Sequence, residues 1–393
     1  MGVYLVHGGV LAFDLYFDEA PKTSRRDLYN YYVEFQKLVD SLSGGRRITQ
    51  IKGRRRSGKT SLLLSCLNEL KGPYFVLDGR AFSSSPQVRR EDFIKLVESS
   101  LNEFLNNNKG LGEKMLGALK RVEGLEINVG KSPSISLRRG PKPRDSVNIS
   151  SILDALSNEA IRQKTRFVIA LDEAQEFRKI MRYDLTSVLA HAYDYCRGLQ
   201  FIVTGSEIGM LHKFLRVDDE TAPLYGRAMV EISLSSLSEE KSKEYLKKGF
   251  EQIELKVSDD MIESASRRFD GVIGWLTYCG FEASQVKKLD NKIIDEVAKK
   301  ASRMVSKEFK NFKNLHKSSR YSVIMRSLAR GASSWAELRK AIEAREGVTI
   351  GQGEITKLLS NLEDAGFVAK NESDGAYFIP DPVIIEAASD GLI

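Results

Sequence analysis

The chain has 393 residues, 42% hydrophobic and 29% charged, which at about 150 residues per domain suggests two or three globular domains and excludes collagen, wholesale disorder and a disulfide mini-protein. Three cysteines without CxxC spacing and four histidines without metal-ligand pairing argue against a disulfide framework or a zinc centre. The net charge of +7 is modest, but it is uneven: residues 2–60 hold 11 basic and 6 acidic side chains, 109–145 hold 9 and 4, 286–317 hold 10 and 4, and 318–393 hold 8 and 11.

Residues 1–13 form the longest uncharged stretch. They lack a basic n-region and are broken by His7, Gly8 and Gly9, so neither a signal peptide nor a spanning helix fits, and a cytoplasmic protein is expected. Residues 26–42 repeat Leu28, Tyr32, Phe35, Leu38 and Val39 near helical spacing. From there to about residue 235, short apolar runs alternate with amphipathic stretches, the pattern of a parallel sheet covered by helices. The expected strands are residues 48–52, 74–78, 167–171, 201–204 and 229–234. Within 109–145, a glycine-, proline- and base-rich insertion, Leu125, Ile127 and Val129 and then Ile135 and Leu137 alternate like a two-stranded ribbon turning at Lys131–Pro133. That ribbon reads equally as an exposed basic arm or as a charged insertion.

Gly53-Arg54-Arg55-Arg56-Ser57-Gly58-Lys59-Thr60, followed by Ser61, fits the phosphate loop G-x-x-x-x-G-K-[ST], placed after a strand and before a helix at 61–70. Its amides and the helix N-terminus suit phosphates, Lys59 suits the β- and γ-phosphates, and Thr60 suits Mg²⁺. At 113 residues beyond Lys59 (172 minus 59), the strand 167–171 runs into Asp172 and Glu173. Asp172 is expected to hold Mg²⁺ through water, and Glu173 to act as general base. The next strand ends in Thr204-Gly205-Ser206-Glu207, where Ser206 or Thr204 would sense the γ-phosphate or cap a helix. Arg227, just before the last strand, is a candidate arginine finger or a solvated surface residue.

Beyond 235 the strand signals stop. Residues 236–317 read as a helical lid and basic linker, with helices starting at Ser238-Glu239-Glu240, at Ser258-Asp259-Asp260 and near Gly274, the last leading into the lysine-rich stretch. Residues 318–393 read helix, helix, helix, ribbon (320–330, 335–345, 352–365 and 367–379), the order of a winged helix-turn-helix.

With Gly53 to Thr60, Leu171-Asp172-Glu173-Ala174, Thr204-Gly205-Ser206, Pro223 to Arg227, a helical lid and a winged helix, nearly the whole chain resembles the archaeal ATPase family of the AAA+ and STAND grouping, relatives of the origin-recognition ATPases. The resemblance implies an α/β P-loop ATPase that binds ATP or ADP and hydrolyses ATP with Mg²⁺, with Arg227 at its arginine motif. The lid departs from the family pattern. Ile273, in Gly271-Val272-Ile273-Gly274-Trp275, stands where proline is expected, Arg267 and Arg268 make no clear sensor, and Trp275 suits either the base or the lid core, with the core favoured.

Three functions follow. The leading one is an ATP-driven conformational switch coupled to the winged helix. A DNA-binding initiator or remodeller is the second; the recognition helix 352–365 holds Lys357 against Glu354, Glu363 and Asp364, so DNA would use the ribbon (Arg138, Arg139, Lys142, Arg144) or residues 287–317. The third is a slowly hydrolysing protein-interaction module whose acidic winged helix docks on a partner or on its own ATPase domain. No membrane partner is expected.

Overall fold

A computed structural model describes residues 16–83, 85–128, 134–137, 148–205, 208–331, 333–371 and 373–393. In chain order the first region runs α1 (Tyr32–Ser43), β1 (Ile48–Gly53), α2 (Lys59–Leu70), β2 (Tyr74–Asp78), α3 (Arg90–Asn107), α4 (Lys109–Leu119), β3 (Leu125–Asn128), β4 (Ser134–Leu137), α5 (Ile149–Arg162), β5 (Phe167–Asp172), α6 (Leu185–Tyr195), β6 (Leu199–Gly205), α7 (Ile208–Leu215) and β7 (Val230–Leu234). Five of these strands form one sheet in the order β2-β5-β6-β1-β7, every pair parallel. The continuous apolar runs of β5 and β6 are buried on both faces, as parallel strands between helices must be. Ile51, Ala170 and Ile202 meet Leu38 and Leu62 of α1 and α2, while Ile169, Phe201 and Val203 meet Leu101, Leu156 and Leu189 of α3, α5 and α6.

Two sequence expectations change here. Residues 109–119 of the expected insertion are the helix α4, whose Met115, Leu116 and Leu119 are buried against the same core; apolar contact outweighs the low helix propensity of Gly110, Gly112 and Gly117. The segments expected to form a ribbon pair as β3–β4, with Val129 and the expected turn at Lys131–Pro133 outside the described residues, but β4 is not a free arm. Ile135 and Leu137 are buried, and β4 is tied to α3 through Asn102, which exchanges two hydrogen bonds with the Ile135 backbone, and through Glu98 Oε2, which accepts from the Leu137 amide. Arg138, Arg139, Lys142 and Arg144 lie outside the described residues.

The second region is helical: α8 (Glu239–Gln252), α9 (Asp259–Phe269), α10 (Ile273–Val286), α11 (Asn291–His316), α12 (Arg320–Leu328), α13 (Trp335–Glu346), α14 (Gln352–Asp364), the short strands β8 (Ala369–Lys370) and β9 (Tyr377–Phe378), and α15 (Pro382–Ser389). Ser238 caps α8 by accepting from the Lys241 amide, and Ser334 and Glu337 close a capping box on α13. The lysine-rich stretch is the separate 26-residue helix α11, and α15, which the sequence pattern missed, closes the chain. Lid and winged helix share one hydrophobic core, running from Tyr245, Phe269 and Trp275 through Phe309 to Phe367 and Ile384. Among the described residues no helix is long and apolar enough to cross a membrane.

Candidate nucleotide site

The loop between β1 and α2 needs glycine at Gly58, whose φ is +89°. Ser57 Oγ is buried there with no hydrogen-bond partner among the described residues, an orphan donor beside the N-terminus of α2. Lys59, 4% exposed, folds back so that its Nζ donates to the carbonyls of Gly53 (3.1 Å) and Arg54 (2.9 Å), with Glu173 Oε1 at 3.9 Å. A phosphate taking those bonds would release the two carbonyls, and its oxygens would satisfy Ser57. The loop therefore fits a nucleotide polyphosphate.

Parallel pairing of β2, β5 and β6 brings the acidic end of β5 to the loop. Thr60 Oγ1 donates to Asp172 Oδ2 at 2.9 Å, and Thr204 Oγ1 donates to Asp172 Oδ1 at 2.5 Å. Thr204 Oγ1 also accepts from the Glu173 amide at 3.1 Å, and Gln175 Nε2 donates to Glu173 Oε2 at 2.6 Å. Glu173 sits at φ +48°, in the left-handed region that a non-glycine residue seldom adopts. Burial pushes the Asp172 carboxyl up, opposed chiefly by the Thr204 hydrogen bond, which favours the anion. A buried carboxylate and a hydroxyl, side by side, form the oxygen donor set that suits Mg²⁺.

A cavity of about 390 Å³ opens beside the loop, lined by Gly58, Lys59, Thr60, Ser61, Arg80 and Glu173 from the sheet region and by Ile273, Gly274 and Trp275 from the lid. Residues the sequence gave no motif for complete it: Asp18 to Lys22, Tyr29 and Tyr31 from the N-terminal segment, with Met304 from α11. That segment is pinned by Ser61 Oγ, which accepts from the Lys22 amide, and by Tyr31, which donates to the Ser235 carbonyl. No local signal in residues 18–22 marks them as part of a site. Arg80 donates to Asp78 and lies 3.7 Å from Asp172.

The departure at the lid has a structural counterpart. The Gly274 amide donates to the Arg56 carbonyl at 3.0 Å, and a Cβ at Gly274 would stand 2.6 Å from Arg56 Cβ. Arg56 lies over the Trp275 ring at 4.1 Å, and Trp275, buried in the lid core as favoured, donates its indole N–H to Asp381 at the start of α15. All three loop arginines reach the second region. Arg54 donates to the Pro380 carbonyl, while Arg55 and Arg56 donate to the two oxygens of Glu308 in α11, at 3.0 and 2.6 Å. Burial would raise the Glu308 carboxyl, but Arg56 and Arg55 together hold it below its ordinary value.

Other candidates sit elsewhere. Arg227 does not line the cavity; it pairs with Asp194 at 2.5 Å, donates to the Pro223 carbonyl and lies over Tyr193. Ser206 lies outside the described residues. Arg267 pairs with Glu263 and Arg268 with Glu386, so neither reaches the cavity. The histidine and cysteine spacing concealed one cluster. Asp154 Oδ1 lies 2.9 Å from His191 Nε2 and accepts from Cys196 Sγ at 3.3 Å, a closed hydrogen-bond set in which burial, with Asp154, pushes the thiol up to about 12.

An ATPase domain found predominantly in Archaea matches residues 30–279, and the C-terminal winged helix-turn-helix domain of MCM proteins matches 315–379. The Walker-type ATPase PABY2304 of Pyrococcus abyssi is 29% identical over 95% of this chain and 99% of its own, with a TM-score of 0.78. The ORC2 protein of Aeropyrum pernix, in its ADPNP–ADP complexes, shares the fold at 14% identity over 96% and 97%, with a TM-score of 0.58. No curated protein matches. The family model covers well over half of the sequence, and the chain therefore belongs to the family of ATPases found predominantly in Archaea.

Proposed function

We propose that this protein binds ATP with Mg²⁺ between sheet and lid, hydrolyses it, and uses the difference between ATP and ADP contacts to move lid and winged helix as one body. The observation that carries the proposal is that one loop, residues 53–60, both fits the phosphates and holds the second region through Arg54, Arg55, Arg56 and Gly274.

Thr60 and Asp172 would hold Mg²⁺, which when bound neutralises charge on the β- and γ-phosphates. Lys59 exchanges its loop carbonyls for phosphate oxygens. Glu173 takes the proton of the attacking water on its carboxylate, while Gln175 and the Thr204 hydroxyl fix its orientation. Ser206 keeps the proposed sensor role beside Thr204. Arg227, held by Asp194 away from the chain's own cavity, is assigned to a neighbouring subunit's phosphate. Mixed Arg227→Ala and Lys59→Ala subunits should then recover hydrolysis that neither shows alone.

Steady-state hydrolysis and nucleotide binding test the core of this. Glu173→Gln should bind ATP but turn it over at least about 100-fold more slowly, and Lys59→Ala should lose both. Intact turnover in either variant overturns the site.

A second reading, the slow protein-interaction module, is favoured by the packing of α14 on α7, where Lys213 pairs with Asp364 and donates to Ser360. A turnover that neither DNA nor a change of protein concentration raises would support it.

A further inference from the structure

The sequence left two basic stretches as DNA candidates, and the fold separates the residues of the second by face. In α11 the buried side is Ile294, Val297, Ala298, Ala301, Val305 and Phe309. Lys299, Arg303, Lys307 and Lys310 are all exposed and follow one another by four, four and three residues, so they share the opposite side of the helix. Lys317, just past the helix end, extends the same line.

None of these five takes part in an ion pair among the described residues, whereas Lys300 is used by Glu282, Lys292 by Glu296, and Lys313 by the Ser322 hydroxyl. From Lys299 to Lys310 the helix rises about 17 Å, a length over which duplex DNA presents about ten phosphates. The third helix of the winged helix offers no such row of cations among the described residues. This helix, α14, is turned onto α7 and carries Glu354, Glu363 and Asp364 against Lys357.

We propose that the solvent face of α11, and not the winged helix, is where this protein takes the sugar-phosphate backbone of duplex DNA. The same helix carries Glu308 about half a turn from this face, with its carboxylate between Arg55 and Arg56 of the phosphate loop, and Met304 at the cavity. One rigid helix therefore joins the duplex to the nucleotide. This coupling rests on the proposed ATP hydrolysis, whereas the binding surface itself does not.

The test is fluorescence anisotropy of a labelled duplex of about 20 base pairs with the full chain and no nucleotide, across salt concentrations. The parent should bind with log K falling against log salt with a slope of about −3.6, the share of four neutralised phosphates. Joint reversal of Lys299, Arg303, Lys307 and Lys310 to Glu should weaken binding at least about 100-fold and flatten the slope. Reversal of the exposed Lys340, Arg345 and Lys357 of the winged helix should change it less than about threefold. The same four positions changed to Gln give a milder variant should the reversal fail to fold, as judged by circular dichroism.

Hydrolysis without DNA should be unchanged in the α11 variants, and any stimulation by DNA lost. A parent that ignores duplex at low salt, or binds polyglutamate in its place, overturns the proposal, as does loss of binding on winged-helix reversal alone. Absent ATP turnover with α11-dependent duplex binding intact would instead overturn the proposed function and leave the surface standing.

Discussion

The acidic end of the parallel sheet and the winged helix are opposite cases of how residues relate to function. At the sheet end, Thr60, Asp172, Thr204, Glu173 and Gln175 are joined by hydrogen bonds, and Thr60 and Glu173 carry that set to the cavity wall, so chemistry and geometry point the same way. The winged helix has the helices and ribbon of a DNA reader, but its third helix is acidic and lies against α7. A fold can be present while the residues that would give it one use are absent.

The largest effects should come from breaking the sheet end. Glu173→Gln is expected to stop turnover while preserving binding, as above. Thr204→Val should cost about tenfold in turnover and about 1–3 kcal/mol in stability, because Asp172 loses a donor and the Glu173 amide is left without its acceptor. Steady-state kinetics and chemical denaturation measure the two. If Thr204→Val behaves like the parent, the hydrogen-bond set is not what organises the site.

Gly274→Ala sharpens the comparison from the lid side. Its Cβ would press on Arg56, so ATP affinity should fall several-fold, readable by titration calorimetry, with the sheet itself undisturbed. A smaller effect should follow pH. Glu308 is held below its ordinary value in the folded chain, so its pairing contributes fully above the carboxylate range and is lost as pH falls through that lowered value. Protease protection of residues 318–393 should drop on acidification in the parent but less in Glu308→Gln.

The smallest effect belongs to Lys213→Ala. The Lys213–Asp364 pair is half exposed on the lysine side, so stability should change by no more than about 1 kcal/mol. Hydrogen exchange of α14 should nonetheless rise. An unchanged α14 would mean that apolar packing alone holds the winged helix in place.

Much of this molecule was legible before the fold. The five strands follow from apolar runs with turn signals, and the motifs pick out Lys59, Thr60, Asp172 and Glu173, which the parallel sheet then brings side by side. What the sequence did not disclose depends on distant pairing. Nothing local marks Glu308 as the partner of Arg55 and Arg56, 253 and 252 residues away. Nor does it mark Asp18 to Lys22 as a cavity wall. The helix α4 was hidden by three glycines whose low propensity the core overrides, and α15 by its brevity. Arg227 matched a motif, yet the chain's own fold hands it to Asp194.

The most direct test is a distance between the sheet region and the winged helix. Cys66, Cys196 and Cys279 are buried, so labels at exposed Glu69→Cys and Lys357→Cys report by pulsed electron resonance in a Glu173→Gln background. A distance that differs between the ATP and ADP complexes, and loses that difference when Arg55 and Arg56 are changed to Ala, is the predicted result. One distance in both nucleotide states would contradict the switch.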